Sequence, residues 1–258
     1  MLFNIIVATM SVGLISLVGV LVIFRGQIHE RFLKVLVSLA AGTLLGAAFL
    51  DLLPEAIEES EFEPHVMTSI ALASVLAFFL LERFLHWHHC RDAEHNGEIV
   101  RAKSGLKRHV VFTNLFGDAL HNLIDGFVIA AAFLIDVQTG VVATVAVIVH
   151  EIPQEIADFG VLLYAGLTRT RALLYNFVIA LTAVGGALVF YYYGTRVEQL
   201  TPMMAAFAAG NFIYLAVADL IPELYHEKNS TRVIVHSLLL LAGVAIIVAL
   251  GLVFPHVA

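Results

Sequence analysis

Eight stretches of the chain are long and apolar enough to cross a lipid bilayer, at roughly 3–24, 33–54, 66–86, 110–134, 139–166, 172–193, 202–222 and 233–253. About 20 apolar residues in a helix span the hydrocarbon core. The fold class predicted is therefore an all-α integral membrane protein with eight transmembrane helices. Composition agrees, with 60% hydrophobic and 14% charged residues, against roughly 25% charged in a soluble domain. The net charge of -7 gives no argument for nucleic acid, because most of the negative excess sits in one outer loop and inside the helices. Cys90 is the single cysteine and cannot form an intramolecular disulfide. Residues 1–24 lack a basic leader and run apolar for too long to be a signal peptide, so they read as a retained first span. The expected location is the cell membrane, multi-pass, with residues 1–258 forming one transmembrane domain.

Lysine and arginine orient the helices. Of the 14 basic residues, 13 fall on one face when the eight spans alternate, and Arg196 alone falls on the other. The positive-inside rule makes the crowded face cytoplasmic and puts both termini outside. An internal repeat is also legible. Ala40-Ala41-Gly42 precedes Asp51-Leu52-Leu53-Pro54-Glu55 on helix 2, and Ala208-Ala209-Gly210 precedes Asp219-Leu220-Ile221-Pro222-Glu223 on helix 7 at the same spacing. Helices 2 and 7 cross in opposite senses, so the pattern predicts an inverted repeat, with three helices on each side of a central pair in a 3+2+3 arrangement. Asp51 and Glu55 would then stand at the outer mouth, and Asp219 and Glu223 at the inner one, on the possible pathway of a cation. The plainer reading is that both phrases simply end a span.

Helices 4 and 5 carry the chemistry. Asp118, His121, Asn122 and Asp125 recur at steps of three and four, which places them on one helical face. His150, Gln154 and Asp158 follow at i, i+4 and i+8, with Glu151 and Glu155 alongside. A charge at the centre of a span costs about 2.5–3.5 kcal/mol, so five carboxylates facing lipid would cost on the order of 10 kcal/mol or more. Asp118, Asp125, Glu151, Glu155 and Asp158 must instead face one another across water or bound cations. Neutral imidazole with carboxylate suits zinc, iron or manganese, whereas oxygen alone suits calcium or magnesium. There are more ligands than one tetrahedral zinc uses, which suggests two adjacent sites or one with ligands to exchange. Pro153 inside helix 5 cannot donate to the carbonyl of Val149 and should kink the helix beside His150.

His-Asn-x-x-Asp-Gly on the fourth helix and His-Glu-x-Pro-x-Glu-x-x-Asp-Phe on the fifth resemble the ZIP (Zrt/Irt-like) metal transporters, and most of all their histidine-rich branch. The resemblance covers the whole membrane core. It implies a binuclear metal centre between helices 4 and 5: His121, Asp125, His150 and Gln154 forming the first site, and Asn122, Asp125, Glu151 and Glu155 the second. It also implies transport of Zn2+, and of Cd2+, Fe2+ or Mn2+, toward the cytoplasm, by a protein that is not an enzyme. One ligand departs from the pattern, since that branch usually has His where this chain has Gln154. The expected partners are divalent metal ions, the lipid bilayer and, in a possible homodimer, a second copy of the chain; nucleic acid is not among them.

Two other classes compete. His150-Glu151-Ile152-Pro153 begins like the HExxH of a zinc protease, but Gln154 stands where the second His belongs. A metal sensor without transport would use the same ligands. Outside the core, the cytoplasmic loop 87–109 and its approach hold His86, His88, His89 and His95, a candidate metal-catching tether or an interfacial belt. His109 and His236 read as incidental boundary residues.

Overall fold

The computed structural model describes residues 1–18, 30–95, 108–197, 199–225 and 229–253. Every regular element among them is helical. Helix α1 spans Leu2–Ile15 and passes into a 3-10 turn at Ser16–Val18. α2 is built from Glu30–Ala47, Ala48–Leu52 and Leu53–Glu58; α3 is Pro64–His95; α4 is Arg108–Ile135; α5 is Val137–Tyr164. α6 joins Arg169–Ala180 to Thr182–Gly194, α7 joins Leu200–Tyr214, Leu215–Leu220 and Ile221–Tyr225, and α8 is Ser230–Val253. Seven of these, α2 to α8, are long and apolar enough to cross a membrane, and α1 is a shorter apolar helix within the described residues. The backbone of α3 continues as helix to His95, so the described part of the predicted 87–109 loop is helical.

Small residues set the packing. Ala130, Ala131, Ala143, Ala146, Ala208 and Ala209 are fully buried, which lets backbones approach where lipid supplies no hydrophobic drive between helices. A Cβ on Gly42 would lie 2.0 Å from the Leu240 carbonyl oxygen of α8, and one on Gly243 would lie 2.4 Å from that of Leu39. A Cβ on Gly126 would lie 2.0 Å from the Ala183 carbonyl oxygen of α6, one on Gly186 2.3 Å from that of Leu123, and one on Gly210 2.1 Å from that of Ala71 of α3. The pairs α2–α8, α4–α6 and α3–α7 are thus in backbone contact. α5 packs between α4 and α2, with α1 also against it. Large apolar side chains such as Leu72, Phe79, Leu80, Leu238 and Leu241 point outward from α3 and α8 and are more than half exposed, as a lipid-facing surface requires.

Both Asp-Leu-x-Pro-Glu phrases adopt the same local form. A π-helical segment, Ala48–Leu52 in α2 and Leu215–Leu220 in α7, ends two residues before Pro54 or Pro222. A proline has no N–H for the carbonyl four residues back, and its ring clashes there. The π turn holds that carbonyl in each case, Leu50 or Ala218, and widening the helix moves it clear of the ring. Pro153 is handled differently: α5 runs through it as α-helix.

The connection from α4 to α5 is tight. Asp136 caps α5, its carboxylate accepting from Thr139 N at 2.8 Å and from Thr139 Oγ1 at 3.1 Å. Two antiparallel helices leaving one residue bring positions equally distant from it to the same level. His121 stands opposite Glu151, Asp118 opposite Gln154, and Asn114 opposite Asp158.

Candidate metal centre

Four side chains from α4 and α5 converge: His121, Asp125, His150 and Glu151, each offering one ligand atom within 4.8 Å of all the others. His121 Nε2 lies 3.1 Å from Glu151 Oε1, 3.2 Å from His150 Nε2 and 3.5 Å from Asp125 Oδ2. His150 Nε2 lies 3.4 Å from Asp125 Oδ2 and 3.6 Å from Glu151 Oε1. A tetrahedral zinc with bonds of about 2.0–2.1 Å needs ligand–ligand edges of about 3.3–3.4 Å. The five separations bracket that value. Two carboxylates and two neutral imidazoles also balance the charge of one divalent cation.

The surroundings prepare these atoms for a cation. His150 Nδ1 sits 3.0 Å from the carbonyl oxygen of Ala146, which can only accept, so Nδ1 carries the proton and the Nε2 lone pair faces the cluster. Neither carboxylate oxygen of Asp125, which is 0% exposed, has a hydrogen-bond donor among the described residues. Buried acceptors left this way cost free energy unless a ligand satisfies them. The ring of Phe212 on α7 closes one side of His150, edge-on at 6.1 Å between centroids.

The other expected ligands adjoin this set. Asn122 is buried and donates from Nδ2 to Asp118 Oδ1 at 2.7 Å, which leaves Asn122 Oδ1 and Asp118 Oδ2 without a partner among the described residues. Glu155 is buried, its Oε2 accepting from Asn176 Nδ2 of α6 at 2.8 Å, and its Oε1 is likewise unpartnered. Gln154 is half-buried and lines a cavity of about 880 Å³ that has His121 and His150 in its wall. Asp118, Asp158, Asp219, Glu223 and Lys34 line the same cavity. Asp51 is buried and Glu55 half-buried at the far end of α2, and neither lines that cavity. The side chains of His86, His88, His89 and His95 lie outside the described residues.

Two residues with a role in this arrangement are absent from the sequence expectations. Asn176 holds Glu155, and Asn114 donates from Nδ2 to Asp158 Oδ1 at 2.5 Å. Both were signalled faintly: Asn114 sits one turn before Asp118 on its stripe, and Asn176 is the lone amide in an apolar run. His236, read as incidental, is buried in α8 with Nδ1 3.0 Å from Ser38 Oγ of α2, so it ties those helices together. Removing the amide in Asn176→Ala leaves a buried carboxylate without its donor. We expect metal affinity to fall by about tenfold, as for other residues that orient ligands, with titration calorimetry in detergent as the check.

The family model described as ZIP Zinc transporter matches residues 2–111 and 89–251. The chain belongs to the ZIP family. Among ZIP proteins, it is 30% identical over 264 residues to Zinc transporter ZIP13 of Pongo abelii, covering 95% of this chain and 76% of that one. It is 26% identical over 292 residues to the Zinc transporter ZIP13 homolog of Drosophila melanogaster, with 90% and 81% covered. Zinc transporter ZIP4 of Rattus norvegicus is 28% identical, and this chain spans 47% of its length. ZIP proteins are multi-pass membrane transporters and not enzymes, which removes the protease reading of His150-Glu151.

Proposed function

We propose that this ZIP protein carries divalent metal cations, zinc first, across the bilayer toward the cytoplasm. The observation that carries the reading is the close set His121, Asp125, His150 and Glu151, whose two histidines line a cavity of about 880 Å³. The ion is substrate here. It binds through ligands that include no thiolate, which suits a site that must also release. A second ion beside the first would use Asn122 Oδ1, Glu155 Oε1 and the outer Asp125 oxygen, all buried acceptors without partners among the described residues. Gln154, an uncharged amide at the cavity wall, would give the first site a ligand to exchange during release. Iron, manganese and cadmium are the further substrates that imidazole and carboxylate admit.

Direction follows from charge. Lys34 lines the cavity, and the positive-inside rule applied to the sequence assigns Lys34 to the cytoplasmic side. An inverted repeat is supported by the matched π segments before Pro54 and Pro222 and by the glycine contacts. Gly42 sets α2 on α8, and Gly210 sets α7 on α3, the partner exchange that a two-fold axis relating α1–α3 to α6–α8 would produce. The test is flux. Purified protein in liposomes should move Zn2+ down a gradient, with Cd2+, Mn2+ and Fe2+ tried beside it. Retained metal binding with no flux of any of the four would leave a sensor as the better reading.

A further inference from the structure

The polar stripe does not end at the tetrahedral set. On α4 it runs on through Asp118 to Asn114, and on α5 through Gln154 to Asp158, so two more levels of oxygen donors descend the cavity wall. Asp118 is only 5% exposed, lines the cavity, and has Oδ2 without a partner among the described residues. Asn114 spends its amide N–H on Asp158, which leaves its buried Oδ1 unpartnered in the same wall. There is room beside them: a Cβ on Gly117, next to Asp118, would meet no atom within 4 Å.

We infer that Asn114, Asp118, Gln154 and Asp158 form an exit station, a second-rank cation site between the tetrahedral centre and the mouth, where a released divalent ion rests with part of its water shell. The inference rests on the transport reading for its role but not for its binding. The donors are oxygens from two carboxylates and two amides, with no imidazole. Such a set favours a hydrated, harder ion and binds zinc less tightly than the centre above it. That ordering is what release needs: each level is about one helical turn from the next, and a weaker site lets the ion leave. Besides offering its Oδ1, Asn114 holds Asp158 against α4 through its amide N–H.

The competing account is a helix staple, in which Asn114 and Asp158 only join α4 to α5. The two accounts part on Asp158→Asn. That change keeps a hydrogen bond to Asn114 and removes the charge. We expect it to lower zinc flux in proteoliposomes by about tenfold, the lower end of what a charged cleft contributes to cation capture, with zinc affinity at the tetrahedral centre and thermal stability unchanged. Asn114→Leu breaks the bond without removing charge and should have the smaller effect on flux. The station is overturned if Asp158→Asn transports like wild type while Asn114→Leu does not. Mn2+ binding gives a readout independent of transport. In Asp125→Ala protein, which loses the ligand shared by both upper sites, weak Mn2+ binding seen by electron paramagnetic resonance should persist and then vanish when Asp158→Asn is added. Persistence in the double variant would overturn the station. A wild type that moves no zinc would overturn the transport reading instead, and the Mn2+ measurement would still decide the site.

Discussion

Asp125→Ala should abolish zinc transport, lowering flux in proteoliposomes by about a hundredfold or more. Asp125 Oδ2 belongs to the candidate ligand set, 3.4 Å from His150 Nε2 and 3.5 Å from His121 Nε2. Its removal leaves three ligands and a single negative charge from Glu151 to meet a divalent ion in a water-poor site. Loss of a residue that merely orients a ligand lowers metal affinity by 10–100-fold, so loss of the ligand itself belongs at or beyond the top of that range. Asp125 also supplies the oxygen that a second ion would share, so both sites fail together. His121→Ala should behave alike for the first site. Radioactive zinc uptake, scored against protein recovered in the same liposomes, decides the matter. Flux within about threefold of wild type in Asp125→Ala would remove the assigned centre from the route.

Gly126→Val should disrupt the structure itself. Gly126 follows Asp125, and any Cβ there would lie 2.0 Å from the Ala183 carbonyl oxygen and 2.8 Å from the Ala187 nitrogen, both backbone atoms of α6. Backbone cannot step aside as a flexible side chain can, so α4 and α6 must separate. Overpacking in a close-packed interior costs about 1–3 kcal/mol, and a branched side chain against two backbone atoms falls at the upper end. The separation also carries Asp125 away from His150 and draws Asn176 from Glu155. We therefore expect a fall in melting temperature in detergent together with loss of zinc binding. Gly117→Val is the matched control, since a Cβ at Gly117 meets nothing within 4 Å. Equal melting temperatures for the two variants would show that the α4–α6 contact is not tight in the protein.

The sequence made both the class and the chemistry legible, for separate physical reasons. The hydrocarbon thickness imposes a minimum run of apolar residues, so α2 to α8 could be located to within a few residues except at the end of α3, which runs on to His95. Charge in such a run is expensive, so Asp125, Glu151 and Glu155 marked themselves as facing inward. Helical spacing then put His121 with Asp125 and His150 with Gln154. What spacing could not do was show that Glu151 comes within reach of His121 and His150, because that depends on the rotation of α5 against α4.

The length of the apolar runs and the stripe of ionisable residues within them determined by themselves that this chain spans a membrane and holds polar groups inside it. Only the tertiary structure decided which atoms meet. It brought His121 and His150 to 3.1–3.6 Å from each other and from the carboxylates of Asp125 and Glu151, recruited Asn176 from α6 to steady Glu155, and ran one cavity from the two histidines to Asp219 and Glu223. These are contacts between helices far apart in sequence. They depend on glycine-to-carbonyl approaches that bring backbones together, and periodicity along a single helix carries no information about which neighbour it will touch.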